Sequence, residues 1–121
     1  MTAEVDAAAG RRPKLLFVCS RNEWRSPTAE DLYRDDPRVE VRSAGTASGA
    51  RQRISAGLFA WADTIFAMEQ RHASVLADRF GRDETRRRVT VLDIPDRYRR
   101  GDPELAAWLR DEVEAYLRRI S

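Results

Sequence analysis

The sequence predicts an α/β domain in which a four-stranded parallel sheet is doubly wound, with helices on both faces. Three observations carry this. Short apolar or alternating runs recur along the chain, stretches with helical spacing and capping residues separate them, and 121 residues leave room for one core. Strands that alternate with helices through right-handed crossovers form a parallel sheet, and such sheets bind ligands beyond the carboxyl ends of their strands.

Residues 1–13 show no amphipathic period and end in Gly10, two arginines and Pro13, so a mobile tail is expected ahead of one domain over 14–121. Leu15 to Val18 is a continuous apolar run suited to a strand buried on both faces, and it leads directly into Cys19. A polar stretch from Ser20 to Arg25 follows. Ser26 and Pro27 then read as a helix cap and first helical position, with the helix running from about Pro27 to Tyr33 and turning Ala29, Leu32 and Tyr33 inward. Asp36 and Pro37 stop it. Val39 and Val41 alternate with polar neighbours in a second strand that ends at Ser43, Ala44 and Gly45, before a loop of small residues. Ile54, Leu58, Phe59 and Trp61 suggest a short helix, Thr64 to Met68 a third strand, and Glu69 to Phe80 a helix capped by Gly81. Val89 to Ile94 reads as the fourth strand, closed by Pro95. Asp102, Pro103 and Glu104 open the last helix, whose stripe of Leu105, Trp108, Leu109, Val113, Tyr116 and Leu117 keeps helical spacing.

Composition removes several function classes. The net charge is +2, and the 21 arginines, against Lys14 alone, are interleaved with acidic residues and lack aromatic residues at stacking spacing. The clusters Arg86, Arg87, Arg88 and Arg97, Arg99, Arg100 therefore read as solvated faces, and no nucleic-acid partner is expected. Cys19 is the only cysteine, which leaves no internal disulfide and no thiolate metal cluster. No apolar run approaches the roughly 20 residues that span a bilayer. Glu4 and Asp6 stand where a signal peptide would be basic and then apolar, so the expectation is a cytoplasmic protein with no membrane partner.

The chemistry concentrates between the first strand and the first helix. Cys19 ends the strand and Arg25 lies six positions later at the mouth of the helix, so the loop between them has room to curl with its N–H groups inward. Backbone donors, a helix N-terminus and a guanidinium fork suit a tetrahedral oxyanion, and the same positive field favours a thiolate at the centre. Such a thiolate is set for in-line attack on a phosphorus whose equatorial oxygens the loop holds, with no metal or other cofactor. The plainer alternatives are an inert buried thiol at Cys19, a surface cation at Arg25 and an ordinary cap at Ser26.

The stretch FVCSRNEWRSPTAE, followed by VRSAGT, resembles the low-molecular-weight protein tyrosine phosphatases, and VLDIPDRYRRGDPEL resembles a compact branch of the same superfamily. The likeness spans most of residues 14–120. It implies Cys19 as nucleophile, Arg25 as phosphate clamp, Ser26 as hydroxyl donor to the thiolate, and Asn22 as the residue that holds the loop, with Ser43 in support. Ser20, Arg21, Glu23 and Trp24 complete the expected phosphate-binding loop. The implied activity is hydrolysis of aryl phosphate monoesters, phosphotyrosine in proteins foremost, through a phosphocysteine. The implied partner is a phosphorylated protein or a small aryl phosphate.

Three departures from that family stand out. Arg21 replaces a glycine, Trp24 replaces a second cysteine, and the connection from the Ser-Ala-Gly turn to the third strand is much shorter. The family's general acid is an aspartate in the loop after the fourth strand. Here Asp96 leaves the sheet edge directly after Pro95, while Asp93 lies within the expected strand and Asp102 is accounted for as a helix cap. Asp96 is preferred, with no acid at all as the remaining alternative. His72 reads as a structural hydrogen-bonding residue, and Tyr98 as either exposed or flanking the mouth of the site. Two other functions stay open: a catalytically silent phosphate-binding module, and an arsenate reductase that would draw its further thiol from a partner.

Overall fold

A computed structural model describes residues 11–121; most of the expected tail lies outside the described residues. The elements in chain order are β1 (Lys14–Cys19), α1 (Arg25–Tyr33), β2 (Glu40–Gly45), α2 (Ala56–Trp61), β3 (Thr64–Ala67), α3 (Gln70–Phe80), α4 (Arg82–Arg88), β4 (Val89–Val91) and α5 (Pro103–Ile120). The four strands are parallel in the order β2-β1-β3-β4. This is the α/β architecture that the alternation predicts. Just before β1, Arg11 reaches Asp63 at 2.6 Å and the Pro13 carbonyl accepts from the Glu40 N–H at 2.9 Å.

β1 is central, and its alternation divides the core. Leu15, Phe17 and Cys19 join the cluster under α1 and α5, with Phe66, Leu105, Leu109 and Val113. Leu16 and Val18 join the opposite cluster under α2 and α3, with Ile54, Phe59, Ile65 and Leu76. The sulfur of Cys19 therefore emerges on the α1 face. Burying each of these large side chains contributes about 1.5–3 kcal/mol. In α5, Asp102 caps the helix as expected, its Oδ1 accepting from the N–H groups of Glu104 (2.8 Å) and Leu105 (3.2 Å).

Four local expectations are corrected. First, α1 begins at Arg25, two residues before Pro27, and its N-cap is Trp24. Ser26 does not cap the helix because its hydroxyl turns to Cys19. Second, α4 falls where no helix was expected. The sequence RDETRRR has no apolar period, and the helix rests on acids in its first turn, arginines in its last, and Glu84 paired with Arg87 and Arg88. Third, the regular part of β4 ends at Val91. Leu92 and Ile94 still donate to the carbonyls of Ala67 and Met68, but Asp93 takes φ 57° between them and breaks the ladder. Fourth, Met68 lies just past β3.

Candidate active site

Five carbonyls of the loop after β1 accept hydrogen bonds from residues outside it. Cys19 O accepts from Thr46 N–H and Ser20 O from Ala47 N–H, both at 2.9 Å, and Arg21 O accepts from Arg51 N–H at 3.0 Å. The Arg51 guanidinium donates to Asn22 O at 3.0 Å, and Thr28 donates to Trp24 O through both its N–H and its hydroxyl. A loop whose carbonyls are held from outside leaves its amide hydrogens available to an anion at its centre. Asn22 sits at the tightest point with φ 57°, a left-handed conformation that asparagine tolerates. The departure from glycine at Arg21 thus carries no backbone strain, since the positive φ falls on its neighbour. Gly45 enables the close approach of β2: a Cβ there would lie 2.5 Å from Ser20 O and 2.9 Å from Asn22 N.

Cys19 is 3% exposed, and its Sγ lies 2.9 Å from Ser26 Oγ. Asn22 Nδ2 donates to Ser26 Oγ and to Ser43 Oγ, both at 2.9 Å, and Ser43 donates to Glu30 Oε1 at 2.6 Å. Asn22 and Ser26 are wholly buried behind the loop. Arg25 is 2% exposed and strongly oriented: Nη1 donates to Glu69 Oε2 at 2.5 Å and to the Ile94 carbonyl at 2.8 Å. Its Nε lies 3.6 Å from Asp96 Oδ1.

These groups meet at a cavity of about 350 Å³ lined by Cys19, Arg25 and Asp96, with Ser20, Arg21, Glu23 and Trp24 around them. It lies beyond the carboxyl end of β1, where the chain leaves for α1 on one face while β3 leaves for α3 on the other. Of the three candidate acids only Asp96 lines this cavity. Asp93 faces a separate groove with Gln70 and Pro95, and Asp102 is held in its capping bonds. Trp24, 42% exposed, forms part of the rim, with the Arg99 guanidinium 5.9 Å from its ring centre. Tyr98 does not flank the mouth. It is buried in the α5 cluster, its hydroxyl accepting from Arg97 at 3.0 Å.

Sequence reasoning missed Glu69 and Glu30 and undervalued His72. The usable signal was position, because Glu69 directly follows β3, the strand beside β1, at the carboxyl edge of the sheet. His72 touches the loop: Nδ1 accepts from the Glu69 N–H at 3.0 Å, so the proton sits on Nε2, 2.8 Å from Ser20 Oγ. Burial, aided by the Arg25 and Arg71 charges, pushes His72 down to about 4. Glu69 is held down to about 2, first by its hydrogen bond from Arg71 and then by Arg25.

These shifts predict two separate acid transitions. The unfolded chain protonates His72 near its ordinary 6.5 while the folded chain resists until about 4, so stability falls as pH drops through that window. Glu69 contributes stability above its ordinary 4.5 that is lost as pH falls from there to about 2. Urea midpoints measured from pH 8 to pH 3 should show the upper loss flattened in His72→Gln and the lower loss retained. An unchanged upper loss in that variant removes His72 as its source.

This fold and this site are similar to those of the low-molecular-weight protein tyrosine phosphatases, a likeness that supports a phosphoric monoester hydrolase, a cysteine-based phosphatase with Cys19 in the expected position. Among solved structures the chain resembles YwlE arginine phosphatase from Geobacillus stearothermophilus, at 27% identity over 89% of this chain and 90% of that one, with a TM-score of 0.64. It resembles Vibrio vulnificus Wzb in complex with benzylphosphonate at 23% identity, covering 90% and 99% of the two chains, with a TM-score of 0.71. A cysteine-to-serine mutant of YwlE with a phosphorylated active-site serine matches at 24% identity over 84% and 94%, with a TM-score of 0.66. No protein-family model matches the chain, and no curated protein matches it. Among the described residues no helix is long and apolar enough to cross a membrane.

Proposed function

We propose that residues 14–121 act as one phosphatase domain that hydrolyses aryl phosphate monoesters, phosphotyrosine in proteins foremost, through a phosphocysteine on Cys19. The observation that carries this reading is that Cys19, Arg25 and Asp96 open onto one cavity. In the first step the Cys19 thiolate attacks phosphorus, the S–P bond forms as the P–O bond to the aryl group breaks, and Asp96 gives its proton to the departing phenolate. In the second step water attacks the phosphocysteine, Asp96 takes its proton, and the thiolate leaves as inorganic phosphate is released. The loop amides and Arg25 bind the equatorial oxygens in both steps. The phosphorylated serine of the YwlE mutant supports the covalent intermediate, and the benzylphosphonate held by Wzb supports an aromatic leaving side. On this chain Trp24 supplies the aromatic wall at the rim.

An acid aimed at the cavity argues against a silent phosphate-binding module, and a lone cysteine argues against an arsenate reductase acting alone. The likeness to an arginine phosphatase makes phosphoarginine the competing substrate. Peptides carrying phosphotyrosine, phosphoserine or phosphoarginine should show the highest kcat/KM for phosphotyrosine; a preference for phosphoarginine overturns the substrate assignment. A cytoplasmic location fits a site that needs a reduced thiol.

Asp96→Asn should lower kcat on phenyl phosphate by about 10²–10⁴-fold and remove the basic limb of its pH profile. The loss on p-nitrophenyl phosphate should be smaller, because its leaving group needs less proton donation. Asp93→Asn and Asp102→Asn should keep the limb. Retention of the limb in Asp96→Asn reassigns the acid.

A further inference from the structure

Behind the loop, three side chains, those of Ser26, Asn22 and Ser43, connect the Cys19 sulfur to the carboxylate of Glu30 on α1. We propose that Glu30 is a positioning residue for the reaction, fixing through Ser43 and Asn22 the direction of the hydrogen bond that Ser26 donates to the thiolate. The proposal rests on Cys19 being the nucleophile, and it assigns Glu30 a part that the loop residues alone do not supply.

The direction follows from donor counting. An ionised carboxylate only accepts, so at 2.6 Å the Ser43 hydroxyl must spend its one hydrogen on Glu30 Oε1. Ser43 Oγ then has only lone pairs to offer Asn22, which fixes the Asn22 amide with Nδ2 toward it at 2.9 Å. The second Nδ2 hydrogen goes to Ser26 Oγ, also at 2.9 Å. Ser26, having accepted, keeps its own hydrogen for the sulfur at 2.9 Å; its other acceptor, the Ala44 carbonyl, is more distant at 3.4 Å. Every bond in the relay points from Glu30's demand for a hydrogen toward Ser26's gift of one.

A second observation shows that the amide orientation is imposed. Asn22 Oδ1 is buried without a hydrogen-bond partner among the described residues, while residue 22 is wholly inaccessible. A free amide would rotate to relieve that oxygen. With Oδ1 toward the serines, Ser43 and Ser26 would both donate to it, and Ser26 would turn lone pairs toward the thiolate. The carboxylate of Glu30 prevents this by claiming the Ser43 hydrogen.

Charge and relay predict opposite signs for the neutral isostere. Removing a negative charge near the site would by itself favour the thiolate. Loss of the relay removes a hydrogen bond to the thiolate and disfavours it. The other charges around the sulfur, Arg25 on α1, Arg71 on α3 and Asp96 after β4, are untouched by the substitution, as are Arg42 and Arg51, which share a cavity with Glu30, and Arg100, which acts on it electrostatically.

The test is the pH dependence of Cys19 alkylation by iodoacetamide in the full chain, which reads the thiolate without any phosphate ester. In Glu30→Gln the midpoint should move up, slowing alkylation about tenfold for a one-unit shift at a pH well below both midpoints. In Ser43→Ala the Asn22 amide loses the same instruction, and adding Glu30→Gln to it should change the profile by much less than in the wild-type background. A downward shift, or a profile that superimposes on wild type in folded Glu30→Gln, overturns the proposal, as does full additivity of the two changes. If Glu30→Gln fails to fold, Ser43→Ala decides alone, and an unchanged midpoint there is negative. A purely structural role would lower the melting temperature without moving the midpoint. Failure of the nucleophile reading is distinct: the wild type would then lack a thiolate near neutral pH, or Cys19→Ser would keep turnover.

Discussion

Cys19→Ser abolishes turnover of p-nitrophenyl phosphate while the fold and phosphate binding persist. The expected fall in kcat is at least on the order of 10⁴-fold, because a serine hydroxyl is a weak nucleophile unless a base removes its proton. Among the described residues the groups near position 19 are otherwise engaged, Glu23 among them through its pair with Arg21. Ser26 Oγ is engaged by Asn22 and the sulfur, His72 has its unprotonated Nδ1 occupied by the Glu69 N–H, and in the proposed reaction Asp96 serves the leaving group. The substitution is nearly isosteric at a site only 3% exposed, so the cup of amides and Arg25 should survive it. Calorimetric titration with phosphate should give similar affinity for both proteins, with turnover in the wild type alone. Equal turnover by both proteins, or none by either, defeats the phosphatase reading; binding without turnover in the wild type supports a silent module.

The parts of this molecule legible in sequence are those whose physical cause is local. Leu15 to Val18 announces a strand buried on both faces because no polar residue interrupts it, and Asp102 announces a cap because its acceptor serves N–H groups two and three residues on. The loop from Cys19 to Arg25 is legible for the same reason, since its ends meet through backbone geometry and the helix that follows. What stayed hidden depends on partners far away in the chain. Local spacing reads Ser26 as a helix cap, and only the family resemblance points its hydroxyl to Cys19, seven residues back. Glu69 reaches Arg25 across 44 positions, and Glu30 meets Ser43 only once β2 lies beside β1. Helix α4 was invisible because ion pairs and its packing against α3 hold it, with no apolar period to mark it. Tyr98 sits among five charged neighbours in Asp96, Arg97, Arg99, Arg100 and Asp102, so its burial under α5 could not be read from context.

Arg25→Lys should be the second most damaging change, for a reason the geometry makes specific. The guanidinium does three things at once. Nη1 serves Glu69 and the Ile94 carbonyl, and that anchoring aims the remaining N–H groups at the cavity that Cys19 lines. An ammonium keeps the charge but has no planar fork, so a lysine that satisfies Glu69 cannot also present two parallel donors to a phosphoryl group. Donors matched to the developing charge are worth about 10²–10³-fold each, and kcat/KM should fall by at least that much. The loss should fall mostly on kcat, because ground-state phosphate keeps the loop amides while the trigonal-bipyramidal transition state needs the fork. Folding should weaken only modestly, since Glu69 retains its bond to Arg71 at 3.0 Å. Steady-state kinetics beside urea denaturation separate the two effects. A lysine variant within tenfold of wild type in kcat would mean that charge alone suffices, and that Glu69 and the Ile94 carbonyl serve stability rather than aim.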